Sequence, residues 1–269
     1  MNQTLADMHV HSQNSHDGTF AVVDIARHAL ENGVSVFAVT DHCDIQYYNE
    51  QNVPTLIASS VVEAEQASKL FEGKVKILTG IELGEGLWSK EHTNDILNSF
   101  NYDVVIGSVH AVRYEGYTDP YSTIDFSKMS EGDLYKYLNV YFNDVLEMVE
   151  NVPCDIMAHL TCPLRYINGK YGLKVDSKKY ENEIERILKH IIENSIALEI
   201  NTSGKDFMPD EWIVAKFKEL GGYLITIGSD AHVGKNVGKD FDKAIKMLKK
   251  YGFDGYYYYE NRKSIKCSI

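Results

Sequence analysis

The sequence of 269 residues is 44% hydrophobic and 25% charged, enough apolar material for one large α/β domain or two small ones. Its net charge of −12 leaves no basic stripe, which makes a nucleic-acid backbone a poor partner but leaves room for a small phosphorylated ligand held through divalent cations. Four scattered cysteines without a CxxC pair, no basic-then-apolar leader and no apolar run of bilayer length point to a soluble cytoplasmic protein with neither a disulfide framework nor a membrane partner.

The stretch Leu5-Ala6-Asp7-Met8-His9-Val10-His11 is a short apolar run ending in two histidines. In a strand, residues two apart share a face, and paired neutral imidazoles are poor core material but good ligands for a divalent transition metal. A polar loop follows from Ser12 to Gly18, then a helix from about Ala21 to Asn32 with Val22, Ile25, Ala26, Ala29 and Leu30 on one face and Gly33 past its end. Val34 to His42 is a continuous run rich in β-branched residues, of the kind buried in parallel sheets. A helix fits Leu56 to Phe71, strands fit Val75 to Glu82 and Asp103 to His110, and a short helix near Thr93 to Asn101 lies between them.

The Tyr-, Gly-, Asp- and Pro-rich stretch from Arg113 to Lys128 reads as a long loop, and such loops are usually functional. Ser130 with Asp133 three residues on resembles a capping box and opens a helix to about Glu150, with Leu134, Leu138, Tyr141, Val145 and Met148 inward. The fifth strand is Asp155 to His159. A loop through Pro163 and Gly172 leads to a helix from Ser177 to Asn194 with Ile184, Ile187, Leu188 and Ile191 inward. Ile196 to Asn201 is the sixth strand. Pro209 at a first helical turn starts the next helix, Tyr223 to Asp230 is the seventh strand, and a last helix runs from about Asp240 to Tyr251. Tyr256 to Tyr259 adds a peripheral or closing strand.

Strands thus alternate with helices without a linker, and residues 1–269 are read as one α/β domain with a parallel sheet. A closed barrel is preferred to an open doubly wound sheet because nearly every strand carries a polar group at its carboxyl end, and a barrel gathers those ends around one axis. The groups are His9, His11, His42, Glu82, His110, His159, Asp230 and His232. His28 and His190 fall in helices and His92 before one, so these three are read as solvated or partly buried polar residues. Each strand-end residue alone is as easily structural as functional. Together, six imidazoles and two carboxylates at one mouth would be hard to desolvate without metal, and a nitrogen–oxygen set lacking thiolate suits zinc, iron or manganese.

The motifs Asp7-Met8-His9-Val10-His11, Thr40-Asp41-His42, Gly80-Ile81-Glu82, Gly107-Ser108-Val109-His110, Ala158-His159 and Gly228-Ser229-Asp230-Ala231-His232 closely resemble the PHP (polymerase and histidinol phosphatase) superfamily over almost the whole chain. The resemblance implies a distorted (β/α)7 TIM-like barrel with two or three divalent metals at its carboxyl face. It assigns His9, His11, Glu82 and Asp230 to one metal. A second shares Glu82 and adds His110 and His159, and a third takes His42, His232 and a residue of the first loop. Family members carry His or Asp eight residues after the first histidine, so Asp17 is the expected ligand and His16, beside it, a flanking residue within reach of substrate. Gly80-Ile81-Glu82-Leu83-Gly84-Glu85, the stretch from His159 to Tyr166 and Glu199-Ile200-Asn201-Thr202-Ser203-Gly204 are similar to the histidinol-phosphatase branch, with one departure: Thr161 stands where an acidic residue is common.

That branch implies hydrolysis of L-histidinol phosphate to L-histidinol and phosphate, in histidine biosynthesis, by in-line attack of a metal-bridging hydroxide held by Glu82, Asp230, His9 and His11. Arg165 is a phosphate clamp or else a surface arginine in an ion pair. Asn201 and Ser203 support substrate or simply form the turn after the sixth strand. The Tyr114–Tyr121 loop covers the imidazole, with Glu115 or Asp119 near the ammonium, or packs the barrel rim. The alternatives are a PHP phosphoesterase acting on a nucleotide or other small phosphate ester, and a catalytically degenerate metal-binding module.

Overall fold

In the computed structural model, which describes residues 4–269, the apolar runs pair into one parallel sheet. Its strands are β1 (Ala6–Val10), β2 (Val36–Val39), β3 (His42–Asp44), β4 (Lys76–Gly84), β5 (Val104–Ser108), β6 (Ile156–Met157), β7 (Ala197–Asn201) and β8 (Ile225–Gly228). The order is β1-β2-β4-β5-β6-β7-β8, with β3 beside β4. Across the seam, Asp230 N donates to His9 O at 2.8 Å and His11 N to Ala231 O at 3.0 Å, so the sheet is nearly closed into a barrel.

The helices are α1 (Val22–Glu31), α2 (Val53–Leu70), α3 (Lys90–Ser99), α4 (Glu131–Asn151), the single turn α5 (Cys162–Leu164), α6 (Glu181–Glu193), α7 (Glu211–Glu219) and α8 (Phe241–Lys250). Ile184, Ile187, Leu188 and Ile191 of α6 are fully buried, each contributing roughly 1.5–3 kcal/mol. Ser130 caps α4, accepting from Asp133 N at 3.1 Å while its hydroxyl donates to the Asp133 carboxylate at 2.7 Å.

Several expected boundaries move, for local reasons. The second strand breaks at Thr40 and Asp41 because the buried Asp41 carboxylate gathers Ser12 N, Ser12 Oγ, Ser15 Oγ and Ser60 Oγ at 2.5–2.8 Å. α2 begins before Leu56 because Pro54 is accommodated in its first turn. Leu30, at the edge of the α1 stripe, is 38% exposed and does not join Val22, Ile25, Ala26 and Ala29 in the core. The expected loop after His159 is instead α5 followed by a wide helical turn over Arg165–Lys170. His92 lies inside the first turn of α3, capped by Ser89, rather than before the helix. Pro209 is not in a helical turn: Met208 exchanges two backbone hydrogen bonds with Asn201, which holds that stretch extended until Asp210 opens α7.

The tyrosine run at the end neither closes nor extends the barrel. It forms an antiparallel hairpin of its own, β9 (Gly255–Glu260) with β10 (Lys263–Ser268). The hairpin lies across the amino ends of the barrel strands. Tyr256 OH accepts from Ala6 N, Asn261 N donates to Asp103 just before β5, and the Arg262 guanidinium pairs with Asp155 just before β6.

Candidate metal centre

The parallel register brings the strand-end groups to one point. Glu82 of β4 lies opposite His42 of β3, while His9 and His11 leave β1 on one face with ring centroids 5.0 Å apart. Glu82, fully buried, is the hub. Its Oε2 faces His9 Nε2 (3.3 Å), His11 Nε2 (3.6 Å) and His42 Nδ1 (2.8 Å), and its Oε1 faces His110 Nε2 (3.1 Å) and His159 Nε2 (2.9 Å). Asp230 Oδ1 lies 3.2 Å from His11 Nε2, 3.9 Å from His9 Nε2 and 3.6 Å from His232 Nδ1. Both His159 (φ 20°) and Asp230 (φ 51°) adopt the left-handed backbone that costs a non-glycine residue on the order of 1–3 kcal/mol, as expected where geometry at a site overrides local preference.

In the first loop Asp17 touches both remaining imidazoles, His232 Nε2 at 3.1 Å and His42 Nε2 at 3.6 Å. His16 is half exposed, and its ring stacks on His42 at 5.1 Å. The strand-end groups predicted from the sequence, with Asp17 and His16 of the first loop, thus lie together in the structure.

The donor chemistry fits divalent cations. His9 Nε2, His11 Nε2, His42 Nδ1, His232 Nε2 and Glu82 Oε2 are buried with no hydrogen-bond partner of acceptable geometry, although they face one another at the distances above. Orphaned buried nitrogens and oxygens are costly, and cations shared between them remove the cost. Protons do so less well. Burial opposes charging of His9, yet the carboxylates of Glu199, Glu82 and Asp230 outweigh it and raise that imidazole well above its usual range. His11, 5.0 Å away, is pushed down to about 3 by burial and by the neighbouring His232 and His42. Donor atoms of His9, His11 and Asp230, of His11, His42 and His232, and of His42, Glu82 and His110 each lie within 4.8 Å of one another.

Buried carboxylates behind these side chains, none given a role from the sequence, hold them in place. Glu199 Oε1 takes His9 Nδ1 at 2.6 Å, and its Oε2 accepts from His159 N and Asn201 Nδ2. A side chain at Gly228 would collide with the Glu199 carboxylate and His9 Cβ, which accounts for glycine at the end of β8. Asp44 holds His110 Nδ1 at 3.0 Å, and Glu85 accepts from His110 N and Ala111 N. Burial, then the adjacent Asp44, raises the Glu85 carboxyl to about 7. The available signal was an acid inside an apolar strand: Glu199 stands between Leu198 and Ile200, where an unpaired charge could not remain.

The centre opens into a cavity of about 610 Å3. Arg165 enters its wall and donates to Ser203 Oγ at 2.8 Å. Ser203 and Asn201 in turn reach Asp230 Oδ2 at 3.2 and 3.3 Å. Arg165 is exposed, as a surface arginine would be, but forms no ion pair with a carboxylate among the described residues. Asn201 and Ser203 form the turn after β7, Ser203 N donating to Asn201 Oδ1, and both also contact Asp230. The tyrosine loop divides: Tyr114 and Tyr121 are buried in the rim, Asp119 lines the cavity, and Glu115 is outside it.

Comparison with known proteins follows the same line. The family model for the PHP domain matches residues 7–203. The chain belongs to the PHP family. It is 30% identical to a histidinol-phosphatase of Lactococcus lactis over 97% of this chain and 98% of that one, and 29% identical to a probable histidinol-phosphatase of Thermotoga maritima over 93% and 94%. Among solved structures, it superposes with a TM-score of 0.76 on the histidinol phosphate phosphatase of Lactococcus lactis complexed with zinc, L-histidinol and phosphate, at 24% identity and covering 98% of this chain and 100% of that chain. A putative histidinol phosphatase of Listeria monocytogenes follows with a TM-score of 0.73 at 16% identity, covering 88% of this chain and 99% of that one. These two likenesses establish the shared barrel fold.

Proposed function

We propose that this protein is a metal-dependent histidinol-phosphatase that releases L-histidinol and inorganic phosphate from L-histidinol phosphate, as a cytoplasmic enzyme of histidine biosynthesis. The observation that carries the reading is the Glu82 hub, a buried carboxylate facing five imidazoles in a cavity that also presents an unpaired guanidinium. The sequence likeness to named histidinol-phosphatases along nearly the full chain supplies the substrate.

In this reading His9, His11, Glu82 and Asp230 hold one divalent metal, Glu82 with His110 and His159 a second, and His42, His232 and Asp17 a third, with zinc, iron or manganese as candidates. Contact with both His42 and His232 favours Asp17 over His16 as the third site's carboxylate. Such metals supply Lewis-acid polarisation of the phosphoryl oxygens and activation of the attacking water. The chain's own residues do the rest. Glu199 fixes the His9 ring through Nδ1, and Asp44 does the same for His110. Ser203 holds Arg165 so that its guanidinium can donate to two phosphoryl oxygens, while Asn201 and Ser203 orient Asp230. Asp119, which lines the cavity, is the carboxylate this reading assigns to the substrate ammonium.

Metal analysis of the purified protein and phosphate release from histidinol phosphate, nucleotide monophosphates and sugar phosphates test the reading together. Turnover concentrated on histidinol phosphate supports it. Preference for nucleotides rejects the substrate, and metal-loaded protein without turnover on any ester rejects the enzyme in favour of a binding module.

A further inference from the structure

Beside the metal cavity lies an open groove of about 580 Å3 with Arg165, Lys170, Lys205 and Lys239 on its walls. Arg165, Tyr166, Ser203 and Lys239 line both spaces, so the groove and the cavity are continuous. Among the described residues none of the four cations has a carboxylate oxygen within 4.0 Å. Of the lysines on the outer helices, Lys189, Lys216, Lys246 and Lys250 are paired with acids, while Lys69, Lys218 and Lys249 stand singly without a pair among the described residues; what marks the groove is the gathering of four unpaired cations at one place. In a chain with a net charge of −12, four unpaired cations around one groove form a local field opposite to that of the molecule. The cavity lining also carries acids, Asp44, Glu85 and Asp119 among them, whereas the lining of the groove holds none. An anion therefore has one favourable approach, over the lysines.

We propose that this groove is an anion track, in which Lys170 and Lys205 capture the phosphate dianion of an incoming phosphomonoester and Lys239 and Arg165 pass it to the metal cavity. The identity of the ester rests on the phosphatase reading; the affinity for phosphate does not. A capture site acts on encounter and not on the bound transition state, so it raises kcat/KM and leaves kcat alone. Its effect is confined to low ionic strength, because exposed charges are screened beyond about 8–10 Å at physiological salt.

The test compares metal-loaded wild type with the double variant Lys170→Gln/Lys205→Gln and with a charge-matched control, Lys189→Gln/Lys246→Gln, on the outer helices. Calorimetric titration with inorganic phosphate at about 0.01 M ionic strength should show affinity lowered about tenfold in the groove variant only, with the difference gone near 1 M. With a phosphomonoester as substrate, kcat/KM should fall by a similar factor at low salt while kcat stays at the wild-type value. Equal phosphate affinity in the groove variant and the control, or a loss that high salt does not erase, overturns the track. Absence of turnover on every ester counts against the phosphatase reading alone, since the phosphate titration still decides the groove.

Discussion

The two ends of the barrel solve opposite problems. At the amino end the β9–β10 hairpin seals the strands with ordinary bonds, Tyr256 to Ala6 N and the Asn261–Arg262 turn to Asp103 and Asp155, and the polar groups named there find partners within the chain. At the carboxyl end the chain packs imidazoles and carboxylates together and leaves six of their atoms, among the described residues, without hydrogen-bond partners. At the hairpin end a single neutral hydroxyl, Tyr259 Oη, is left buried without a partner among the described hairpin residues. The carboxyl end is complete only with cations, and its cost is carried by the rest of the fold.

The sharpest way to break that contrast is to remove the hub. Under the proposed function, Glu82→Gln should lower phosphate release by about 10³-fold or more, because it removes the anionic group that would be common to two metal positions. Metal content, measured by elemental analysis, should fall with it, while far-ultraviolet circular dichroism stays native. Retained metal with retained turnover would remove Glu82 from the centre. Next in size is Glu199→Gln, which keeps the shape but weakens the hold on His9, and should cost about 10–100-fold in metal affinity or activity. A normal metal-binding isotherm for this variant would reduce Glu199 to a packing residue.

How much of this contrast could be read from the chain depends on the end considered. The carboxyl end was legible because its signal is chemical and local: His9, His42, Glu82, His110, His159 and Asp230 each follow an apolar run, and only their coincidence at one mouth had to be inferred. The supporting acids were harder. Glu199 and Asp44 look like ordinary strand and loop residues until the register shows which imidazole each one meets. The amino end was hardly legible, since a tyrosine run with β propensity does not say whether it joins the sheet edge or crosses its base. That choice depends on contacts such as Tyr256 with Ala6, some 250 residues apart. The wide turn at Arg165 was missed for a similar reason, as Pro163 suggested a loop where it in fact opens α5.

Two further changes separate stability from catalysis. Asp7 accepts from Ser229 N and Gly238 N at 2.9 Å each and so stitches β1 to the segment after β8, where the barrel closes. Asp7→Ala would leave the buried Ser229 N without its acceptor, at about 1–3 kcal/mol, and the half-buried Gly238 N without its own at less, and should lower the midpoint of chemical denaturation accordingly. An unchanged midpoint would mean the seam is held by its backbone bonds alone. Tyr256→Phe removes one hydroxyl at the sealed end, which accepts from Ala6 N and donates to Thr4 O, and should cost about 1–2 kcal/mol with kcat unaffected. A kcat change comparable to that of Glu199→Gln would show that the two ends are not independent.

The smallest expected effect belongs to a carboxylate at neither end. Asp144, midway along α4, is raised from 3.8 to about 6, first by burial and then by Glu147, with Arg113 opposing. The native fold thus favours its protonated form. The stability this contributes is fully present below about pH 3.8 and is lost as pH rises through about 6. Asp144→Asn keeps the neutral form at every pH, so it should match wild type in thermal melts near pH 4 and melt above it at pH 8, with the gap opening between. Because Asp144 touches no metal-centre residue, phosphate release should not follow that gap. A stability difference constant with pH would show that packing, and not ionisation, sets the behaviour of this position.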